Sequence, residues 1–193
     1  MAPRRGRTGK APTSGELTRA DVGLLYVTGR DDLFRLAWLT AGDAAVAEDL
    51  VQEAYTRLFE HPERVHDADR ADAYVRSIVL NLARTRFAQR SRRGLVDLRI
   101  AHDPTQAARP PDVDPMGGAD DRTVVAAALE HLSPNQRVCV VARYWLGLSD
   151  TEIAEATGLS LGTAKTHLRR ALTSLRRHFA DEAVLTLEAD HVT

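Results

Sequence analysis

The sequence is poor in cysteine. Cys139 stands alone among 193 residues, so the chain can form no internal disulfide and suits a reducing compartment. It lies in the apolar run "VCVVARYWL" and reads as a small buried hydrophobe rather than a reactive thiol. No run approaches the roughly 20 apolar residues that span a bilayer. The basic N-terminus is followed by no apolar core, so no signal peptide is expected. A cytoplasmic protein with no membrane insertion follows as the expectation. Aromatic residues make up only 5% of the chain, and alternating β-branched runs are missing, so no strand is expected. Catalytic signatures are missing as well. There is no Walker loop, no GxGxxG and no GxSxG. The seven histidines lack metal spacing: His61 and His66 are five apart around Pro62, and His167 and His178 are eleven apart. The carboxylates of "AEDLVQE" sit on an exposed helix with nothing to desolvate them. The expectation is a protein that is not an enzyme and uses no cofactor or metal.

What is present is segregated charge. The net charge of −1 hides it. Residues 1–20 carry +4, 21–72 carry −7, 73–93 carry +6 and 94–120 carry −3. Residues 121–160 carry −2, 161–180 carry +5 and the tail 181–193 carries −4. Two basic stretches, each beside an acidic one, point to two separate contacts with a polyanion.

The organisation follows from composition and period. Residues 1–20, rich in Pro, Gly, Ser and Arg, read as a disordered basic arm. Residues 21–93 are helical throughout. Leu33, Leu36, Ala37 and Trp38 share one face; Val46, Leu50, Ala54 and Leu58 share another; Ala73, Ile78, Leu82 and Phe87 supply a third helix. Residues 94–120, with the proline-rich "HDPTQAARPPDVDPMGGAD", read as a flexible linker. Residues 121–180 form a second unit of four helices. Ser133 and Pro134 start one of them, and Gly147 ends it. Ser149 caps the next, with Glu152 completing a capping box; Gly158 breaks it and Ser160 caps the last. Residues 181–193 form an acidic tail that reads as disordered. The fold class expected is all-α, two small helical domains joined by a linker.

The stretch "LSDTEIAEATGLSLGTAKTHLRRALTSLRRHF" is a helix, a three-residue turn and a second helix that carries no acid. Leu161, Ala164, Leu168, Leu172, Leu175 and Phe179 recur at helical spacing and should face the core. At about 100° per residue, the opposite face holds Thr163, Thr166, Arg170, Thr173 and Arg177, flanked by Lys165, Arg169 and Arg176. One face serves the core and one suits DNA. Its first turn would enter the major groove, where Lys and Arg read guanine and Thr touches phosphate or a thymine methyl. Gly162 keeps the helix N-terminus slim enough for a phosphate to approach. The acidic first helix is expected to point away from the duplex.

With "AEDLVQEAYTRLF" (Ala47–Phe59) and "AYVRSIVLNLARTRFAQRSRR" (Ala73–Arg93), this helix-turn-helix resembles the extracytoplasmic-function (ECF) group of bacterial sigma factors. The resemblance covers about residues 21–93 and 121–180. It implies a promoter-specificity subunit of RNA polymerase, with core RNA polymerase and promoter DNA, duplex and melted single strand, as partners. It also implies an anti-sigma protein. The "DLVQE" helix is similar to the surface that docks on core polymerase, here Asp49, Leu50, Gln52 and Glu53. The basic helix is similar to the minus-ten element reader, with Asn81 matching the family's Asn and Arg84, Arg86 and Arg90 holding phosphate. The loop His61–Ala71 stands where the family captures an unstacked base. Thr163, Lys165, Thr166, Arg169 and Arg170 fall on the minus-thirty-five contacts. Tyr74 stands where the family often has Trp, and Thr85 where it often has Asp. The melting loop has no aromatic of its own, which makes Tyr74 the candidate stacking residue. The rival reading is a helix-turn-helix repressor or activator with a helical N-terminal interaction domain. A ligand pocket or dimer seam would mark that class; the N-terminal half offers an acidic helix beside a basic one instead.

Overall fold

The computed structural model describes residues 17–65, 70–93 and 119–189, with side chains through 87 in the second stretch and over 124–180 in the third. All described regular structure is helical: α1 (Arg19–Ala41), α2 (Ala44–Glu60), a 3-10 turn (Pro62–Arg64), α3 (Ala71–Arg93), α4 (Ala119–Glu130), α5 (Pro134–Tyr144), α6 (Asp150–Thr157) and α7 (Leu161–Ala189). The all-α expectation is met. Residues 94–118 of the proposed linker and most of the basic arm lie outside the described residues, and the last two linker positions, Ala119 and Asp120, already belong to α4.

α1 begins two residues ahead of the sequence expectation. Thr18 caps it: the Asp21 amide donates to Thr18 Oγ1 at 3.3 Å and the Thr18 amide donates to Asp21 Oδ2 at 2.9 Å. The Thr18 hydroxyl, which donates to Asp21 Oδ2 at 2.7 Å, and after it the Thr18 amide hold the Asp21 carboxyl below its usual range. The T-x-x-D pattern is legible in the sequence, with Asp in place of the usual Glu. Gly42, in the left-handed region at φ 74°, closes the helix and donates to Trp38 O at 2.7 Å. Asp43 then caps α2 through the Val46 amide at 2.8 Å.

Leu36, Leu50, Leu58 and Leu80 are each under 2% exposed and form the centre of the first unit with Val51, Val75 and Val79. Each contributes roughly 1.5–3 kcal/mol by burial. Thr40 is fully buried, and its hydroxyl donates to Leu36 O and Ala37 O at 3.0 and 2.8 Å, so no polar group is stranded there.

The second unit packs around α5, whose Val138, Cys139, Val141 and Ala142 are buried against Ile153 of α6 and Ala164 and Ala171 of α7. The α7 seam differs from the expected one. Leu161 and Phe179 are 42% and 43% exposed, while Ala164 and Ala171 are at most 2% exposed. The two alanines, seven residues apart on one face, let the helices approach closely, with Leu168 and Leu175 alongside. α7 also runs on to Ala189, into the segment read as a disordered tail. "DEAVLTLEA" holds good helix formers and no Gly or Pro, so nothing stops the helix at 180.

The two units pack against each other. α1 and α3 touch α5, and α3 touches α6. The buried apolar residues of both units form a single cluster.

Candidate nucleic-acid interface

The helix-turn-helix is built by its caps. Ser149 and Glu152 form the expected capping box, with the Ser149 amide donating to Glu152 Oε2 at 2.8 Å and the Glu152 amide donating to Ser149 Oγ at 3.3 Å. Gly158 ends α6 at φ 68°, a conformation that an L side chain rarely adopts. The three-residue turn Gly158–Ser160 then starts α7, where the Thr163 amide donates to Ser160 Oγ at 3.2 Å. Ile153 and Ala154 bury the inner side of α6, and Ala164 and Ala171 the inner side of α7. The outer side of α7 is thereby fixed in direction.

That outer side carries Lys165, Arg169, Arg170, Arg176 and Arg177, all exposed. Among the described residues none of the five is in an ion pair. Thr166 Oγ1 donates to Gly162 O at 2.8 Å and Thr173 Oγ1 to Arg169 O at 3.0 Å, so both threonines lie close along the helix. A Cβ added at Gly162 would meet nothing within 4 Å, which leaves the start of α7 open. His167 is half-buried, and burial, then the neighbouring Arg170, pushes its imidazole below the usual value. Both causes favour the neutral ring on this face.

The N-terminal unit brings Asp49, Gln52 and Glu53 together along a shallow groove of about 550 Å³, with Arg57 and Arg86. Asp49 and Gln52 are exposed, and Glu53 accepts from Arg57 at 2.5 Å. Leu50 is fully buried, so it anchors this face from behind. Arg86 donates to Asp49 Oδ2 at 3.0 Å, which sets it beside the acidic group rather than with Arg84. Arg84 lies on the side of α3 that meets α6: a Cβ added at Gly158 would sit 3.7 Å from its Nη2. Asn81 is exposed, and its Oδ1 accepts from Arg84 at 3.4 Å. The side chain of Arg90 is outside the described residues.

Tyr74 is half-buried and lines a cleft of about 780 Å³ between the units, with Arg64, Arg70 and Ser77 on its own side and Glu152 and Glu155 of α6 on the other. The acidic helix is expected to point away from the bound duplex; in the structure Glu152 and Glu155 line the cleft toward the first unit, while Asp150 pairs with Arg143 of α5. Arg64, Arg70 and Ser77 do not stand out in the sequence, although the two arginines belong to the loop His61–Ala71 that does. Arg137 is not evident there either. Its signal is a charge directly ahead of the apolar run of α5, the helix that also holds Arg143. Among the described residues no group of three or more His, Cys, Asp or Glu could hold a metal, and no helix is long and apolar enough to cross a membrane.

A chain whose described elements are all helices, and whose second unit presents a basic helix face without an ion pair among the described residues, has the build of a DNA-binding protein. Its relatives define the class further. Residues 25–93 match the family described as Sigma-70 region 2, and residues 122–175 match Sigma-70, region 4. The RNA polymerase sigma-E factor of Streptomyces coelicolor is 37% identical over 153 residues, covering 78% of this chain and 82% of its own. The ECF RNA polymerase sigma factor SigL of Mycobacterium tuberculosis is 32% identical over 170 residues, covering 88% and 92%. The sigma factor RpoE of Bartonella quintana, solved in complex with the anti-sigma factor NepR, shares the fold at a TM-score of 0.61 over 81% of this chain and 95% of that one, at 21% identity. The chain belongs to the ECF group of RNA polymerase sigma factors. It associates with core RNA polymerase and directs promoter-specific initiation. The match of the N-terminal unit to region 2 sets the repressor reading aside.

Proposed function

We propose that residues 21–93 bind core polymerase and melt the minus-ten element, and that residues 121–180 read the minus-thirty-five element. Asp49, Gln52 and Glu53 offer an acidic edge on α2 that suits a basic partner surface. Lys165, Thr166, Arg169 and Arg170, with Thr163 near phosphate, meet the minus-thirty-five bases and backbone. Tyr74 stacks a melted base, and Asn81 and Arg84 hold the strand. Arg90 is assigned to phosphate by its place on the basic helix. Unstacking a base costs a few kcal/mol, offset here by binding alone, with no nucleotide hydrolysis. The protein acts as a cytoplasmic initiation factor without catalysis of its own. An anti-sigma protein that covers these faces is the expected negative partner, as the complex of the Bartonella relative suggests.

The observation that carries the reading is the exposed basic face of α7, held outward by a buried opposite side and free of ion pairs among the described residues. Run-off transcription with core polymerase on sheared genomic DNA tests it. Discrete transcripts that require this protein are expected. Tight duplex binding by the protein alone, with no transcripts, would overturn it.

A further inference from the structure

We propose that Leu161, the first residue of α7, is a specificity-determining residue of the duplex-reading face and selects thymine through its 5-methyl group. The inference rests on the reading of α7 as the minus-thirty-five helix. It goes beyond that reading by naming a further reader, one whose side chain has no polar atom, and the base it takes.

The first support is where α7 turns its first residue. Leu161 is 42% exposed, whereas Ala164, three residues on, is 2% exposed. Ala164 and Ala171 set the inward direction of the helix. At about 100° per residue, Leu161 stands roughly 60–80° from that direction, on the flank that continues through Lys165 to Arg169. Leu168 and Leu175, on the same stripe, are half-buried, so the stripe leaves the core only at its ends. Gly162 beside Leu161 is open as well, since a Cβ there would meet nothing within 4 Å. A lone exposed leucine is ordinary on a protein surface. What sets this one apart is its surroundings.

The second support is what lies next to it. Lys165 is one helical turn on and Arg169 the turn after, both exposed and neither in an ion pair among the described residues. Whatever covers Leu161 covers these cations too. An apolar protein face would strand them without partners, which is costly. A duplex supplies phosphates and base edges to the cations, and the apolar group it offers in the major groove is the thymine methyl. The N-terminal residues of a recognition helix are the ones that reach base edges, and Leu161 is the first of them. Leucine has neither donor nor acceptor, so it cannot read the hydrogen-bond pattern of any base. Contact with a methyl is the one reading open to it.

The hydroxyls of the first two turns do not compete for this role. Ser160 Oγ and Thr163 Oγ1 bond each other at 2.8 Å, and Thr166 Oγ1 donates to Gly162 O at 2.8 Å. With its hydroxyl turned back on the helix, Thr166 offers a methyl of its own, but it stands about 140° round the axis from Leu161. The two methyl readers therefore face different base pairs. Leu161 precedes Lys165 by about 6 Å along the axis. At about 3.4 Å per base pair, its thymine falls within about two base pairs of the guanine that Lys165 takes.

Two measurements on holoenzyme assembled from core polymerase and the full chain test this. In the first, a randomised duplex pool is offered and the bound duplexes are sequenced. The parent should enrich a motif with thymine at a fixed position, and Leu161→Ala should lose the preference at that position alone. Alanine is the better helix former and Leu161 lies off the close seam, so the thermal midpoint should hold. In the second, deoxyuridine replaces that thymine in the enriched duplex, which deletes the methyl and nothing else. Affinity of the parent, by anisotropy, should fall roughly threefold to fivefold. The Leu161→Ala protein should bind the two duplexes alike. No penalty in the parent, or a penalty that persists in Leu161→Ala, would overturn the inference. A penalty that persists there and vanishes in Thr166→Ser would assign the contact to the Thr166 methyl instead. A pool that enriches no motif, or a motif that survives alanine at Lys165, Arg169 and Arg170 together, would sink the minus-thirty-five reading of α7 and this inference with it.

Discussion

Arg86 of α3 donates to Asp49 of α2 at 3.0 Å, and this pair ties the acidic edge of one helix to the basic helix beside it. Side-chain exposures of 38% for Arg86 and 62% for Asp49 keep it largely in solvent contact. Such a pair contributes about 0–1 kcal/mol to stability. Its weight should fall on docking instead. Asp49→Ala with Gln52→Ala and Glu53→Ala should leave the thermal midpoint within a few degrees. Affinity for core polymerase, by co-elution or anisotropy, should drop at least about tenfold. Unchanged co-elution would remove this edge from the docking surface. Arg86→Ala separates the two roles open to that residue: beside Asp49 it should weaken core binding more than single-strand binding.

The exposed face of α7 makes a second, separable prediction. Lys165→Ala with Arg169→Ala and Arg170→Ala should abolish promoter-specific initiation and leave core binding intact. The salt dependence of duplex binding should flatten by about 0.9 in log–log slope for each phosphate that is no longer neutralised. Initiation that survives the triple change would show that another element reads the promoter. Gly162→Ala sharpens the test. The added methyl meets nothing within 4 Å, so the fold should hold or gain a few tenths of a kcal/mol. Duplex affinity should still fall if a phosphate docks at the helix start as proposed, because the methyl would occupy its approach.

The ends of α6 carry the turn geometry, and denaturant unfolding can read them. Ser149→Ala removes a cap and should cost about 1 kcal/mol. Gly158→Ala places a side chain at φ 68°, and the backbone conformation should cost about 1–2 kcal/mol. The Arg84 guanidinium 3.7 Å away is an ordinary contact and adds little. A Gly158→Ala midpoint equal to the parent would mean that α6 ends in another way.

These caps are legible in the sequence because they are local. Ser149 with Glu152, Ser133 with Pro134 and the glycines at 147 and 158 act within one helix end, and short-range chemistry shows in short stretches of sequence. The basic face of α7 is legible for the same reason: helical period alone puts Lys165, Arg169 and Arg170 together. The partner of Arg86 is not legible, since Asp49 lies 37 residues away and two faces of α3 are open to it. The direction of α6 is not legible either. Its acids could face solvent or the first unit, and that choice depends on packing between units joined by a linker without periodicity. Exposed Leu161 and Phe179 show the limit of period itself: both fit the apolar stripe, but the close seam forms on Ala164 and Ala171.

The buried acids of the core make the last prediction, a loss of stability in alkali. Cys139 is fully enclosed, and burial pushes its thiol up to about 11. Tyr55 donates its hydroxyl to Leu25 O at 3.0 Å, and burial, with Asp72 next in weight, pushes the phenol up to about 12. Both groups bind their protons more tightly folded than unfolded. Between the unfolded and folded pKa the native state therefore holds more protons, and stability falls as pH rises. For Cys139 that window runs from about 9 to about 11, and for Tyr55 from about 10 to about 12. Below pH 8 neither group contributes a slope. Urea midpoints measured across pH 7 to 11 should be level at first and then drop. Cys139→Ala should remove the earlier part of the fall, and Tyr55→Phe the later part. A thiol reagent at pH 8 should leave the native chain unlabelled and modify one thiol after denaturation. Rapid native labelling would show that the α5 core opens, and the alkaline loss assigned to Cys139 would then vanish with it.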